Sequence, residues 1–189
     1  MRKTLTSTAV ALSAAALTVG LTVGLAGTAH ADVYGVDDGQ DTFHGSDVEA
    51  LDVKHGNENV HVVTHHSDLR RDPATGSGGA AFIDTDADDW GPEYVLVGGY
   101  FAGTDYQLVE TEGFGHKTWG DPVEHGDYIL KVNYAKNRVH AIISRAALGD
   151  PDEVRVAFRA SGTRTDGTSK GLVDWVGEQR GFTPWIAQG

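Results

Sequence analysis

Apolar and polar residues alternate along this chain in short runs, separated by glycine, aspartate, asparagine and proline. The cleanest run is "EVRVAFRA", with Val154, Val156 and Phe158 on one side and Arg155 and Arg159 on the other. Successive side chains of a strand point to opposite faces, so this pattern predicts a strand with one buried and one wet face. Runs rich in β-branched and aromatic residues predict strands over Val48–Lys54, Asn59–His65, Ala80–Asp84, Tyr94–Phe101, Tyr106–Glu110, Tyr128–Tyr134, Arg138–Ser144 and Glu153–Arg159. A last one is expected over Leu172–Val176. "DYILKVNYAKNRVHAIIS" reads as a hairpin with Lys136 and Asn137 in its turn, asparagine being tolerant of left-handed backbone. A helical period is not sustained beyond the N-terminal segment, and "SRAALGDP" supports a single turn ended by Gly149 and Pro151. Closely spaced strands with turn signals between them predict one all-β domain, an antiparallel β-sandwich of jelly-roll type. Residues 32–46 read as an acidic, glycine-punctuated lead-in, residues 72–80 ("DPATGSGGA") as a long surface loop, and residues 161–189 as the last strand and a tail.

The first 31 residues carry a different signal. Arg2 and Lys3 precede the apolar stretch "AVALSAAALTVGLTVGLAG", which closes on "AHA" at residues 29–31. This is the pattern of a secretory signal peptide cleaved after Ala31, leaving a sandwich domain over residues 32–189. A retained membrane anchor is the competing reading, since the apolar run is just long enough to span. The "AHA" site and the abrupt polar switch at "DVYGVDDGQD" favour removal, and with it a secreted, extracellular protein free of the membrane. The leader holds Arg2 and Lys3 of the 15 basic residues and none of the 27 acidic ones, so the chain from Asp32 has a net charge of −14. Such a charge repels nucleic acid and anionic membranes, and suits solubility and cation binding. Cysteine is absent, which excludes disulfides, thiolate metal centres and cysteine nucleophiles. The domain must be held by its core, with any further help coming from a metal.

The order of motifs carries a resemblance. "VEALDVKHGNENVHVVTHHSDL" gives a hairpin ending in Ser67-Asp68-Leu69, followed by a loop and the strand Phe82-Ile83-Asp84-Thr85-Asp86. Later, "HAIISRAALGDPDEVRVAF" places a tight turn between two core strands. Over about residues 47–160 this resembles family 9 carbohydrate-binding modules and DOMON-like domains, which are small secreted β-sandwiches. The resemblance implies the sandwich fold. Within that group some members bind sugars and some bind haem, and calcium often sits in a structural loop. The leader and the tail "DWVGEQRGFTPWI" resemble those of secreted proteins of high-GC Gram-positive bacteria.

Three sets of residues are candidates for chemistry. Asp84, Asp86, Asp88 and Asp89 crowd one inter-strand segment, and the first three have the one-three-five spacing of an EF-hand loop. Asp89 then stands where that loop needs glycine, and Val95 where it needs a bidentate glutamate, so this is not an EF-hand. Two readings stay open: a calcium site completed from another loop, with Asp37, Asp38 or Asp41 as donors, and a solvated acidic turn. Of the histidines, His61 and His65 share a strand face about 13 Å apart, too far to hold one ion. His65 with a histidine of a neighbouring strand would offer zinc or copper a pair of ligands, and exposed strand histidines are the plainer reading. Trp90 and Trp119, expected in loops beside Asp89 and Asp121, suit stacking against a sugar, whereas Trp175 and Trp185 read as core closure.

No nucleophile elbow and no phosphate-binding loop occur. The sequence therefore predicts a secreted, non-catalytic binding module with a polysaccharide or another cell-envelope component as ligand, calcium stabilisation being one of the two open readings of its aspartate segment. A secreted protein-interaction or inhibitor domain is the alternative, and a small hydrolase using acidic residues the third.

Overall fold

In a computed structural model, which describes residues 32–163 and 173–189, the predicted alternation resolves into antiparallel strands. The predicted leader and Leu172 of the last predicted strand lie outside the described residues. In chain order the strands are β1 (Asp32–Asp37), β2 (Val48–His55), β3 (Asn59–His66), β4 (Gly78–Asp84), β5 (Tyr94–Gly99) and β6 (Tyr106–Thr111). They continue as β7 (Trp119–Pro122), β8 (Tyr128–Asn133), β9 (Arg138–Ser144), β10 (Glu153–Ser161), β11 (Val173–Trp175) and β12 (Ile186–Ala187). One sheet runs β1-β2-β3-β9-β8; the other runs β11-β10-β4-β5-β6-β7, with β12 also paired to β10.

The two sheets face each other across one core. Leu51, Val53, Val60, Val62, Val139, Ala141 and Ile143 come from the first, and Ala81, Ile83, Leu96, Leu108, Val154, Val156 and Phe158 from the second. This is an all-β sandwich, as the alternation predicts. The second sheet is also covered on its other face. There Phe82 lies 4.9 Å from the Phe114 ring and stacks on Trp175 at 5.8 Å, with Ala80, Val95, Val109 and Ala157 around it. Burial on both faces is why "AAFI" in β4 is continuously apolar rather than alternating.

Several local expectations change. The start of the supposed lead-in is strand β1, paired in register with β2 from Asp32↔His55 to Asp37↔Ala50. Trp119 opens β7 instead of sitting in a loop. The supposed surface loop tightens into a 3-10 turn at Pro73–Thr75, capped by the Asp72 side chain, and β4 then begins at Gly78. The β8–β9 hairpin turns through a 3-10 turn at Tyr134–Lys136 and Asn137, whose φ of 48° is the left-handed conformation expected of it.

Candidate functional site

The β1–β2 connection is fixed by its own side chains. His44, fully buried, reaches the Thr75 carbonyl through Nε2 and accepts the Ser46 N–H on Nδ1, both at 3.0 Å. Gly45 runs so close to the Asp68 carbonyl that a β-carbon there would collide with it. These contacts deliver Asp47 to the start of β2 with its side chain wholly buried. Asp47 Oδ1 accepts the N–H groups of Thr42 at 2.7 Å and Asp41 at 3.2 Å, while Oδ2 is buried with no hydrogen-bond partner.

A second aspartate arrives from the other sheet. Asp174, in the middle of β11, is 4 % exposed, and its Oδ2 accepts the Val48 N–H at 2.6 Å. Its Oδ1 is likewise buried and unpartnered. Asp41, Asp47 and Asp174 bring one carboxylate oxygen each to within 4.8 Å of one another, and no other such group of three acidic, histidine or cysteine residues occurs among the described residues. Asp38 stands beside them with a buried, unpartnered Oδ2 of its own. The cluster lies at a seam, because β1 and β11 are edge strands of different sheets.

Electrostatics makes this arrangement costly on its own. Two ionised carboxylate oxygens 4.8 Å apart repel by about 3 kcal/mol at an effective dielectric constant of about 20. Burial, followed by the charges of Asp41, Asp47 and Asp38, pushes the Asp174 carboxyl up to about 7, against the opposing pull of the Val48 N–H. Burial also raises Asp38. Each buried aspartate thus has one oxygen anchored by backbone amides and the other buried without a partner, in a cluster of like charges. Buried polar atoms are rarely left in that state without an ion or water. Hard carboxylate oxygens fit calcium, and Ca–O bonds of about 2.3–2.6 Å on either side of an ion cover the observed span.

The predicted aspartate segment is arranged differently. Asp84 is fully buried and its Oδ2 takes both Nε and Nη2 of Arg155, at 2.7 and 2.6 Å. The Arg155 guanidinium is in turn held between the rings of Phe182 and Trp185, at 4.7 and 4.6 Å. Asp86, Asp88 and Asp89 are exposed, and the loop is organised by local contacts from the Asp88 N–H to Asp86 Oδ1 and from the Trp90 N–H to Asp89 Oδ1. The structure does not bring the four together around one point. Of the second-loop donors named from sequence, Asp41 is in the observed cluster, Asp38 stands beside it, and Asp37 lies in β1 paired with Ala50.

Trp90 stands at the surface, 78 % exposed. Trp119 is half-buried against the outer core of the second sheet, with the His116 ring 4.1 Å from its own. His65 lies 3.9 Å from Asp52, and the cross-strand histidine pair is His61 with His140, whose ring nitrogens are 3.0 Å apart. Asp47 and Asp174 escaped the sequence reading. A signal was present in "VDWV", which puts one acidic residue at an inward position of an otherwise apolar strand.

Fold and cluster together describe a two-sheet β-sandwich with a largely buried carboxylate cluster where the β1–β2 connection meets β11. No protein-family model matches the chain, and comparison with curated proteins finds no match.

Proposed function

We propose that this chain is a secreted, non-catalytic binding module in which a calcium ion, held by Asp41, Asp47 and Asp174 with Asp38 beside them, clasps the two sheets, and which takes a carbohydrate or cell-envelope ligand. The observation that carries the calcium part is the pair of buried, unpartnered oxygens, Asp47 Oδ2 and Asp174 Oδ1, on carboxylates that converge with Asp41. The ion would remove that repulsion and supply the partner that the backbone does not. The exposed Trp90 ring supports the ligand part, since an amphipathic ring in solvent is suited to the apolar face of a sugar. Trp119 supports it less, being engaged by the outer core.

Two measurements test the reading. Calcium at millimolar concentration should raise the melting temperature relative to chelator, because a ligand that binds the native state alone must stabilise it; an unchanged melt overturns the clasp. Retention on insoluble polysaccharides should fall on Trp90→Ala while the melt stays unchanged. Retention by no polysaccharide favours a protein partner instead.

A further inference from the structure

Among the described residues, the acid-rich surface carries a local inversion of charge. At the β8–β9 end of the first sheet, a pocket of about 390 Å³ is lined by Arg71, Lys131, Asn133, Tyr134, Arg138 and His140, and no carboxylate lines it. In the β8–β9 register Lys131 stands directly opposite His140, and Asn133 opposite Arg138. Strand alternation puts these four on the outward face, as their exposed or half-buried side chains agree. Arg71 closes the pocket from the β3–β4 connection, its guanidinium stacked 4.6 Å above the Tyr134 ring. Among the described residues, none of Arg71, Lys131 and Arg138 has a carboxylate within ion-pair distance; the carboxylate ion pairs are Asp52–His65, Asp68–Arg70 and Asp84–Arg155.

Lys131 and Arg138 stand diagonally on neighbouring strands and Arg71 reaches in beside them, so three cations without an ion-pair partner among the described residues repel one another here, and a bound anion would relieve that repulsion. Every polar side chain lining the pocket offers N–H or O–H donors. The charge of the whole chain sets a second condition. A dense polyanion such as nucleic acid, with a charge about every 1.7 Å, brings many charges against an acidic protein. A single acidic group on a largely neutral polymer feels chiefly the pocket, because screening at physiological salt acts over about 8 Å.

We infer that this pocket binds the isolated acidic group, a carboxylate or a phosphate or sulfate ester, of a sparsely charged saccharide. The inference rests on the binding-module reading and names its ligand class. Arg71 and Arg138 supply fork-shaped donors that match a carboxylate or an ester oxyanion, Lys131 a point charge, and Asn133 a neutral donor. The free edge of β8 leaves room for the sugar chain to pass.

The test uses calorimetry on the full mature chain in calcium-containing buffer, with a xylotriose bearing a single glucuronate, the methyl ester of that glucuronate and inorganic sulfate as probes. NMR of the His140 ring reads the pocket directly. The acid is expected to bind at least ten-fold tighter than the ester and to weaken with added salt. Lys131→Gln with Arg138→Gln should cost at least ten-fold without moving the melting temperature by more than a few degrees, and Lys117→Gln, outside the pocket, should leave binding unchanged. Sulfate should shift the His140 ring signals. Equal affinity for acid and ester, or acid binding that survives the folded double variant, overturns the pocket assignment while leaving the module reading intact. Sulfate shifts at His140 without binding of any saccharide overturn the glycan module and leave an anion pocket. Absence of both overturns the pocket itself.

Discussion

Asparagine at position 174 separates a true cation clasp from a crowd of carboxylates, because it keeps the acceptor for the Val48 N–H and deletes the charge. Above pH 7 the native Asp174 is ionised against burial and its acidic neighbours. Raising its carboxyl from 3.8 to about 7 sets a ceiling of about 4 kcal/mol on the resulting penalty. In chelator at pH 8, Asp174→Asn should therefore stabilise the fold by about 1–4 kcal/mol, the reverse of what loss of a hydrogen-bonding group would do. Calcium at a hundred times its dissociation constant should add about 2.7 kcal/mol to the native chain, or about 5–10 °C in melting temperature for a domain of this size. The variant should gain little of that increment. The assay is thermal unfolding of both chains at pH 8, in chelator and across a calcium series, with magnesium as the comparison ion. Equal calcium increments in the two chains, or a variant destabilised as much in chelator as in calcium, would refute the reasoning.

Other consequences follow from groups described above. Arg155→Ala strands the buried Asp84 charge and should cost about 3–5 kcal/mol, read by urea unfolding, with Asp84→Asn in the same chain restoring part of it. Phe82→Ala empties the middle of the outer core and should cost about 3–5 kcal/mol while leaving the far-ultraviolet spectrum unchanged. His66 is buried, with Nδ1 donating to the Ser46 carbonyl and Nε2 accepting from Thr64 Oγ1, each at 2.8 Å. Burial pushes it down to about 4, so the unfolded chain takes up that proton first. The stability this residue contributes is complete above about pH 6.5 and should decline by about 3 kcal/mol as pH falls from 6.5 to 4. Urea midpoints measured across that range should show a flatter profile for His66→Gln.

Much of the fold is legible because one residue pattern suffices for one strand. Arg138–Ser144 is recovered exactly, since it alternates cleanly and has paired strands on both sides. The start of β1 hides behind Asp32, Gly35 and Asp37, residues that weaken a strand signal yet are harmless on an exposed edge. β7 and β12 have four and two residues, too few to show a period. The site is legible only in part. Local crowding drew attention to Asp84–Asp89, but crowding in sequence is a surface property there, resolved by turns and by Arg155. The observed cluster pairs Asp47 with a residue of another sheet, and the Val48–Asp174 bond joins positions 126 apart. Nothing local announces such a meeting except the inward register of Asp174.

That separation also has a bearing on rates. Contacts between distant parts of a chain are entropically slow to close, so the seam between β2 and β11 is expected to form after the folding transition state and to open before the unfolding one. An ion held there would then lengthen the native lifetime while leaving the folding rate almost unchanged. Under the secreted reading proposed above, cleavage by extracellular proteases would await a spontaneous opening, and calcium would act less as a source of strength than as a brake on escape.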